Sequence, residues 1–137
     1  MSATKEEIIA FIQSESPNSK YKIESVGDSK ATLSLNVGTD ELRPGGTVSG
    51  PVLMSIADIA IYIAILGEIG IVPLAVTTSL TINFLRRPSA DRSIVAECSL
   101  IKVGRALIVG EVSLYSKGSE DMVAHVVGTY SIPPKRN

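Results

Sequence analysis

The chain has 137 residues, 45% of them hydrophobic, which is enough to bury one sizeable core without disulfide or metal staples. Thirteen basic and fourteen acidic side chains leave a formal charge of -1, excluding a nucleic-acid or membrane partner held by bulk charge. The single cysteine, Cys98, excludes an intramolecular disulfide, and the opening Met-Ser-Ala-Thr-Lys-Glu-Glu lacks a basic and then apolar leader, so a reducing cytoplasm is the expected compartment.

Thr4 with Glu7 three positions later has the form of a capping box, and Ile8, Ile9, Phe11 and Ile12 make one apolar stripe, predicting a helix over 4–14 that Pro17 and Asn18 end. Strands are expected over 21–26 and 31–37, joined by a turn at Gly27-Asp28-Ser29. After the turn-rich stretch 39–46, the segment from Pro51 to Leu66 is apolar nearly all round, with Pro51 suited to a first helical turn and Gly67 to a stop. Four alternating patterns follow at 75–85, 93–103, 106–116 and 122–132. No repeat or linker interrupts the chain, so residues 1–137 are expected to form one α+β domain. Its antiparallel sheet would wrap around one long central helix, with an extra helix at the N-terminus.

The apolar run from Val48 to Val76 is long enough to raise the question of a membrane span. Asp58 at its centre argues against one, since a mid-span carboxylate costs roughly 2.5–3.5 kcal/mol on insertion scales, and Gly67, Glu68, Gly70 and Pro73 argue the same way.

Asp58 lies too deep in its helix to be a cap, among Met54, Ile61, Tyr62 and Ile65 at helical neighbour positions. Two roles are open to it: accepting hydrogen bonds from Ser55 or from strand hydroxyls, or acting as general base or nucleophile in an apolar cleft. The turn Gly45-Gly46-Thr47-Val48-Ser49-Gly50 brings free amides to the helix N-terminus, where a developing oxyanion is stabilised, and Gly50 is the amide best placed; an ordinary loop capped by Ser49 is the alternative. Thr77, Ser79, Thr81 and Asn83 form the polar side of a strand leading into Arg86 and Arg87, while Lys102 and Arg105 lie in another cationic turn. These four cations could form a local anion site for a phosphate-bearing substrate. Cys98 falls in an alternating strand far from the sole histidine and is expected in the core; His125 is expected on an outer or interface face.

Taken in order and spacing, Ser49-Gly50-Pro51-Val52-Leu53-Met54-Ser55-Ile56-Ala57-Asp58, Thr77 through Arg86, Val103-Gly104-Arg105-Ala106-Leu107, and Val123-Ala124 with Gly128-Thr129-Tyr130 resemble the hotdog-fold acyl-CoA thioesterases of the phenylacetate-degradation type. The resemblance implies a hotdog fold and hydrolysis of an acyl-CoA, with Asp58 as base or nucleophile, the Gly50 amide polarising the thioester carbonyl and Thr77 helping to position water. It also implies a homodimer or dimer of dimers joined edge to edge, with clefts between subunits. Ser49 stands where the family has histidine and Arg43 where many members have asparagine. Both are carried as site residues, Ser49 beside the catalytic group and Arg43 with Met54, Tyr62, Arg86, Arg87 and Arg105 on the substrate. Neither a metal nor a separate cofactor is expected, coenzyme A entering as part of the substrate. The alternative is an acyl-CoA binding or sensing protein that keeps the cleft without turnover.

Overall fold

The computed structural model describes residues 2–134. In chain order it contains α1 (Lys5–Glu15), β1 (Tyr21–Gly27), β2 (Lys30–Leu35), a 3-10 turn (Thr39–Glu41), β3 (Leu42–Arg43), β4 (Thr47–Val48), α2 (Gly50–Ile69), β5 (Val76–Phe84), β6 (Ile94–Val103), β7 (Leu107–Ser116) and β8 (Met122–Ser131). Six strands form one antiparallel sheet in the order β1-β2-β6-β7-β8-β5, so β1 and β5 are its edges; β3 and β4 pair separately as a small hairpin. The sheet wraps around α2, as expected, and α1 packs beside it.

Local chemistry sets the boundaries. The capping box at α1 is present: Thr4 Oγ1 accepts the Glu7 amide at 3.1 Å and Glu7 Oε1 accepts the Thr4 amide at 3.0 Å. By length and hydropathy α2 would pass for a membrane span, but half of its 20 residues are buried and it is the core helix of the fold. It runs past the expected stop at Gly67 to Gly70, whose φ of +96° suits the residue that ends a helix. Gly67 is glycine for another reason: a Cβ there would sit 2.5 Å from Val26 Cγ2, so the bare position lets β1 close on the helix. The second strand ends at Leu35, two residues earlier than predicted, with Val37 packing on the core from the connection beyond it.

Two glycines bring α2 close to the sheet. Gly110 on β7 and Gly128 on β8 are cross-strand partners, and Ile61 of α2 fills the space their missing side chains leave. A Cβ at Gly110 would meet Ile61 Cγ2 at 3.2 Å, and one at Gly128 would meet Ile61 Cδ1 at 2.7 Å and Leu80 Cδ1 at 2.8 Å.

The register of β5 corrects the sequence-based assignment of its faces. Thr77 pairs with Tyr130 but Ser79 pairs with Thr129, so Thr78 is an extra residue, a β-bulge. The bulge shifts the alternation by one: Ser79, Thr81 and Asn83 keep the exposed outer face, whereas Thr77 turns inward with Leu80 and Ile82. Thr77 is therefore not part of the outer polar face predicted for it.

Candidate active site

Asp58 sits two turns into α2, on the flank that faces β5. Its Oδ1 accepts two hydroxyl hydrogen bonds, from Thr77 Oγ1 at 2.7 Å and from Tyr130 Oη at 2.8 Å; the tyrosine hydroxyl also lies 3.0 Å from the Asp58 carbonyl. Strand hydroxyls hold the carboxylate, as one of the two open roles required, and Ser55 takes no part among the described residues. Tyr130 is 4% exposed, and burial pushes its phenol well above the ordinary tyrosine value, so it stays a proton donor. Its ring stacks on Tyr62, centroids 6.1 Å apart, one helical turn beyond Asp58. Both donors fall on Oδ1, and Oδ2 has no hydrogen-bond partner among the described residues. A carboxylate so oriented can take a proton, or add to an electrophilic carbon, through Oδ2.

The second half of the arrangement is the start of α2. Ser49 is its N-cap, with Oγ accepting the Val52 amide at 3.4 Å, and Gly50 is the first helical residue, so its own amide has no intrahelical acceptor. The ring of Phe84, at the far end of β5 from Thr77, lies 3.2 Å from where a Gly50 Cβ would be. Around this amide a groove is lined by Arg43, Thr47, Phe84, Leu85, Arg86 and Arg87. Arg86 is partly engaged, donating to the Met122 carbonyl at 3.1 Å with Asp121 at 3.7 Å; Arg43 and Arg87 have no acidic partner among the described residues.

The four-cation cluster is not found within one chain. Arg105 lies in the turn between β6 and β7, at the Val76 end of the sheet, whereas Arg86 and Arg87 follow the Phe84 end. A ten-residue strand, about 30 Å, separates the two ends, and Lys102 stays with Arg105. Met54, 39% exposed, precedes Asp58 by one turn at the open side of the helix. His125 faces outward on β8, its Nε2 3.0 Å from Glu111 Oε2. Cys98 is in the core, where burial, with Glu111 adding to it, pushes its thiol up to about 12.

The sequence profile of the thioesterase superfamily matches residues 45–123, which hold α2, Asp58 and the lining of the groove apart from Arg43. The chain belongs to the thioesterase superfamily. A candidate thioesterase from Silicibacter sp. TM1040 is similar over 96% of this chain and 92% of its own, at 38% identity and a TM-score of 0.88. The PaaI protein of the E. coli phenylacetic acid degradation operon shares the fold over 92% of this chain and 88% of its own, at 21% identity and a TM-score of 0.79. A hypothetical thioesterase from Streptococcus pneumoniae TIGR4, solved with coenzyme A, does so over 85% and 88%, at 22% identity and a TM-score of 0.72. Comparison with the curated proteins gives no match. The expected hotdog fold is thus the fold of this superfamily member, and the resemblance to the phenylacetate-degradation type holds in shape. Tyr130 is the site residue that sequence reasoning gave no role. Its inward register with Ala124, Val126 and Gly128 was the available signal, since a tyrosine on a buried face needs a partner for its hydroxyl.

Proposed function

We propose that this thioesterase superfamily member hydrolyses acyl-CoA to a free acid and coenzyme A, with Asp58 as general base or nucleophile. The observation that carries the reading is a helix carboxylate whose Oδ1 is pinned by Thr77 and Tyr130 while Oδ2 has no hydrogen-bond partner among the described residues. As base, Oδ2 takes a proton from water, whose oxygen adds to the thioester carbon. The oxyanion rests on the Gly50 amide, the C–S bond breaks, and the leaving thiolate receives the proton. As nucleophile, Oδ2 adds to the thioester carbon and the C–S bond breaks, expelling the coenzyme A thiolate; water then cleaves the mixed anhydride to the free acid and the Asp58 carboxylate, and its released proton neutralises the thiolate.

Gly50 and Asp58 of one chain cannot serve one carbonyl: eight residues along a helix put them about 12 Å apart. Gly50 lies against Phe84 and Asp58 against Thr77, at opposite ends of edge strand β5. Two copies paired antiparallel along β5 would set the Gly50 end of one beside the Asp58 end of the other. The unpaired edge and the exposed Val76, Phe84 and Leu85, at 54%, 55% and 54%, support such a homodimer. The same pairing would carry Arg105 of one copy toward the groove of Arg43, Arg86 and Arg87 on the other, where the nucleotide phosphates of coenzyme A would bind. Ser49 acts here as the cap that orients the Gly50 amide. The reaction needs no cofactor beyond the substrate's own coenzyme A, and a cytoplasmic location accords with such a substrate.

A second reading, an acyl-CoA binder without turnover, is favoured by one observation. Ser49 replaces the family histidine with its hydroxyl already used in capping, and the sole histidine faces outward on Glu111. Thiol release from short, medium, long and aromatic acyl-CoAs, with Asp58→Asn as control, separates the two. Hydrolysis lost in a folded Asp58→Asn variant supports the enzyme, and unchanged hydrolysis removes Asp58 from the mechanism. Binding without hydrolysis across the panel supports the binder.

A further inference from the structure

On the flank of α2 away from β5, a cavity of about 440 Å³ opens between α1, the connection to β1, and the helix. Its walls are apolar: Ile12 from α1, Leu35 from β2, and Val52, Ile56 and Ile59 from α2. Its mouth carries Lys20 and Glu41, but these are already satisfied. Glu41, 8% exposed, accepts the Gly38 amide at 2.7 Å on Oε1 and Lys20 Nζ at 3.3 Å on Oε2. The rim therefore has no unpaired charge for a charged ligand group, and the walls favour a hydrocarbon.

The cavity adjoins the Asp58 site through one side chain. Tyr62 lines it and stacks on Tyr130, which in turn holds Asp58. Ser55, one turn before Asp58, lines it too. A thioester carbon at Asp58 Oδ2 would thus send its acyl chain over the Ser55 and Tyr62 surface into the cavity. We propose that this cavity receives the acyl group, and that the substrates are thioesters of medium-length, uncharged acyl chains. The proposal rests on the thioesterase reading of Asp58 and adds the substrate class. A cavity of about 150 Å³ takes a benzene ring, so one of 440 Å³, open on one side, holds on the order of a dozen carbons.

The test is kcat/KM for a series from acetyl-CoA to dodecanoyl-CoA, on wild type, Val52→Trp and Ile12→Trp. The two substitutions fill the cavity from opposite walls and touch none of the residues assigned to the reaction. Wild type should rise with chain length by up to about fourfold for each fully buried methylene. Each tryptophan should cut decanoyl-CoA turnover at least tenfold and leave acetyl-CoA within twofold. A flat wild-type profile, or tryptophan variants that are folded and process decanoyl-CoA normally, overturns the proposal. If wild type hydrolyses nothing, the catalytic reading fails separately, and calorimetry with decan-1-ol decides the cavity. Binding weakened at least tenfold by Val52→Trp supports it, and no binding to wild type overturns it.

Discussion

Two hydroxyls on one carboxylate oxygen make a coupling that can be measured. Tyr130→Phe keeps the ring, its stack on Tyr62 and its burial, and removes only the 2.8 Å donor to Asp58 Oδ1. A hydrogen bond to a charged group contributes about 1.5–3 kcal/mol; Asp58 is half-buried and water can take the vacated place, so the lower end, about 1.5 kcal/mol, is expected. Thr77→Val, at an exposed position, should cost about 1 kcal/mol. Each loss should lower Tm by about 3–5 °C per kcal/mol in a chain of this size. Because either donor alone can still hold Oδ1, the double variant should lose more than the sum of the two, by at least about 0.5 kcal/mol. Urea midpoints at one fixed protein concentration give all three values, with kcat of the same proteins falling in parallel as the carboxylate loosens. Two single variants within about 0.3 kcal/mol of wild type, and additive, would refute the idea that Thr77 and Tyr130 jointly orient Asp58.

Reversing charge with Arg86→Glu and Arg87→Glu should raise KM for an acyl-CoA at least tenfold more than for the matching acyl thioester lacking the nucleotide; equal effects on both would remove the phosphate assignment. Cys98, buried and with its thiol pushed up to about 12, should not react with a disulfide thiol reagent at pH 8 until the chain is unfolded, so a protein blank in thiol-release assays should stay silent. The Cys98 thiol and the Tyr130 phenol are both raised on folding. Their contribution to stability is therefore full below the ordinary thiol value of about 8.5 and declines as pH rises through 9 to 12, where the unfolded chain ionises first. Urea midpoints at pH 8 and pH 10.5 should show that loss, and Tyr130→Phe should shrink it. Gly128→Ala should destabilise by about 1–3 kcal/mol by thermal melting, since its methyl would meet Ile61 and Leu80 at 2.7 and 2.8 Å.

Periodicity made the elements and their order legible. The capping box at Thr4, the nearly continuous apolar run of α2 and the four alternating strands each carry one local signal, and each formed where that signal lay. Four features escaped because they depend on tertiary contact. Gly67 has the look of a helix stop, but the approach of Val26 makes it an interior residue. Strict alternation put Thr77 on the outer face, and a single extra residue at Thr78, visible only once β5 is laid against β8, turns it onto Asp58. Arg105 reads as a neighbour of Arg86 and Arg87 in a pattern of cationic turns, yet antiparallel strands place successive turns at opposite ends of the sheet. Asp58 itself was conspicuous as the acid in the middle of an apolar helix whose other acid, Glu68, lies in the last turn; the inward register of Tyr130 was readable in its strand, but its bond to Asp58, 72 residues away in sequence, is visible only in the fold.

The Gly110 and Gly128 notch acts as a detent for α2. Ile61 drops into it three residues beyond Asp58, so the axial position of the helix is set by a steric stop rather than by the site's own hydrogen bonds. The backbone of Asp58 is brought opposite Thr77 and Tyr130 by this contact, and the two hydroxyls then fix the direction of the carboxylate. Placing the helix and orienting the acid thereby fall to separate residues. Side chains around Asp58 can vary with the acyl group without moving the helix, while filling the notch would slide Asp58 off its donors with every group in the site unchanged.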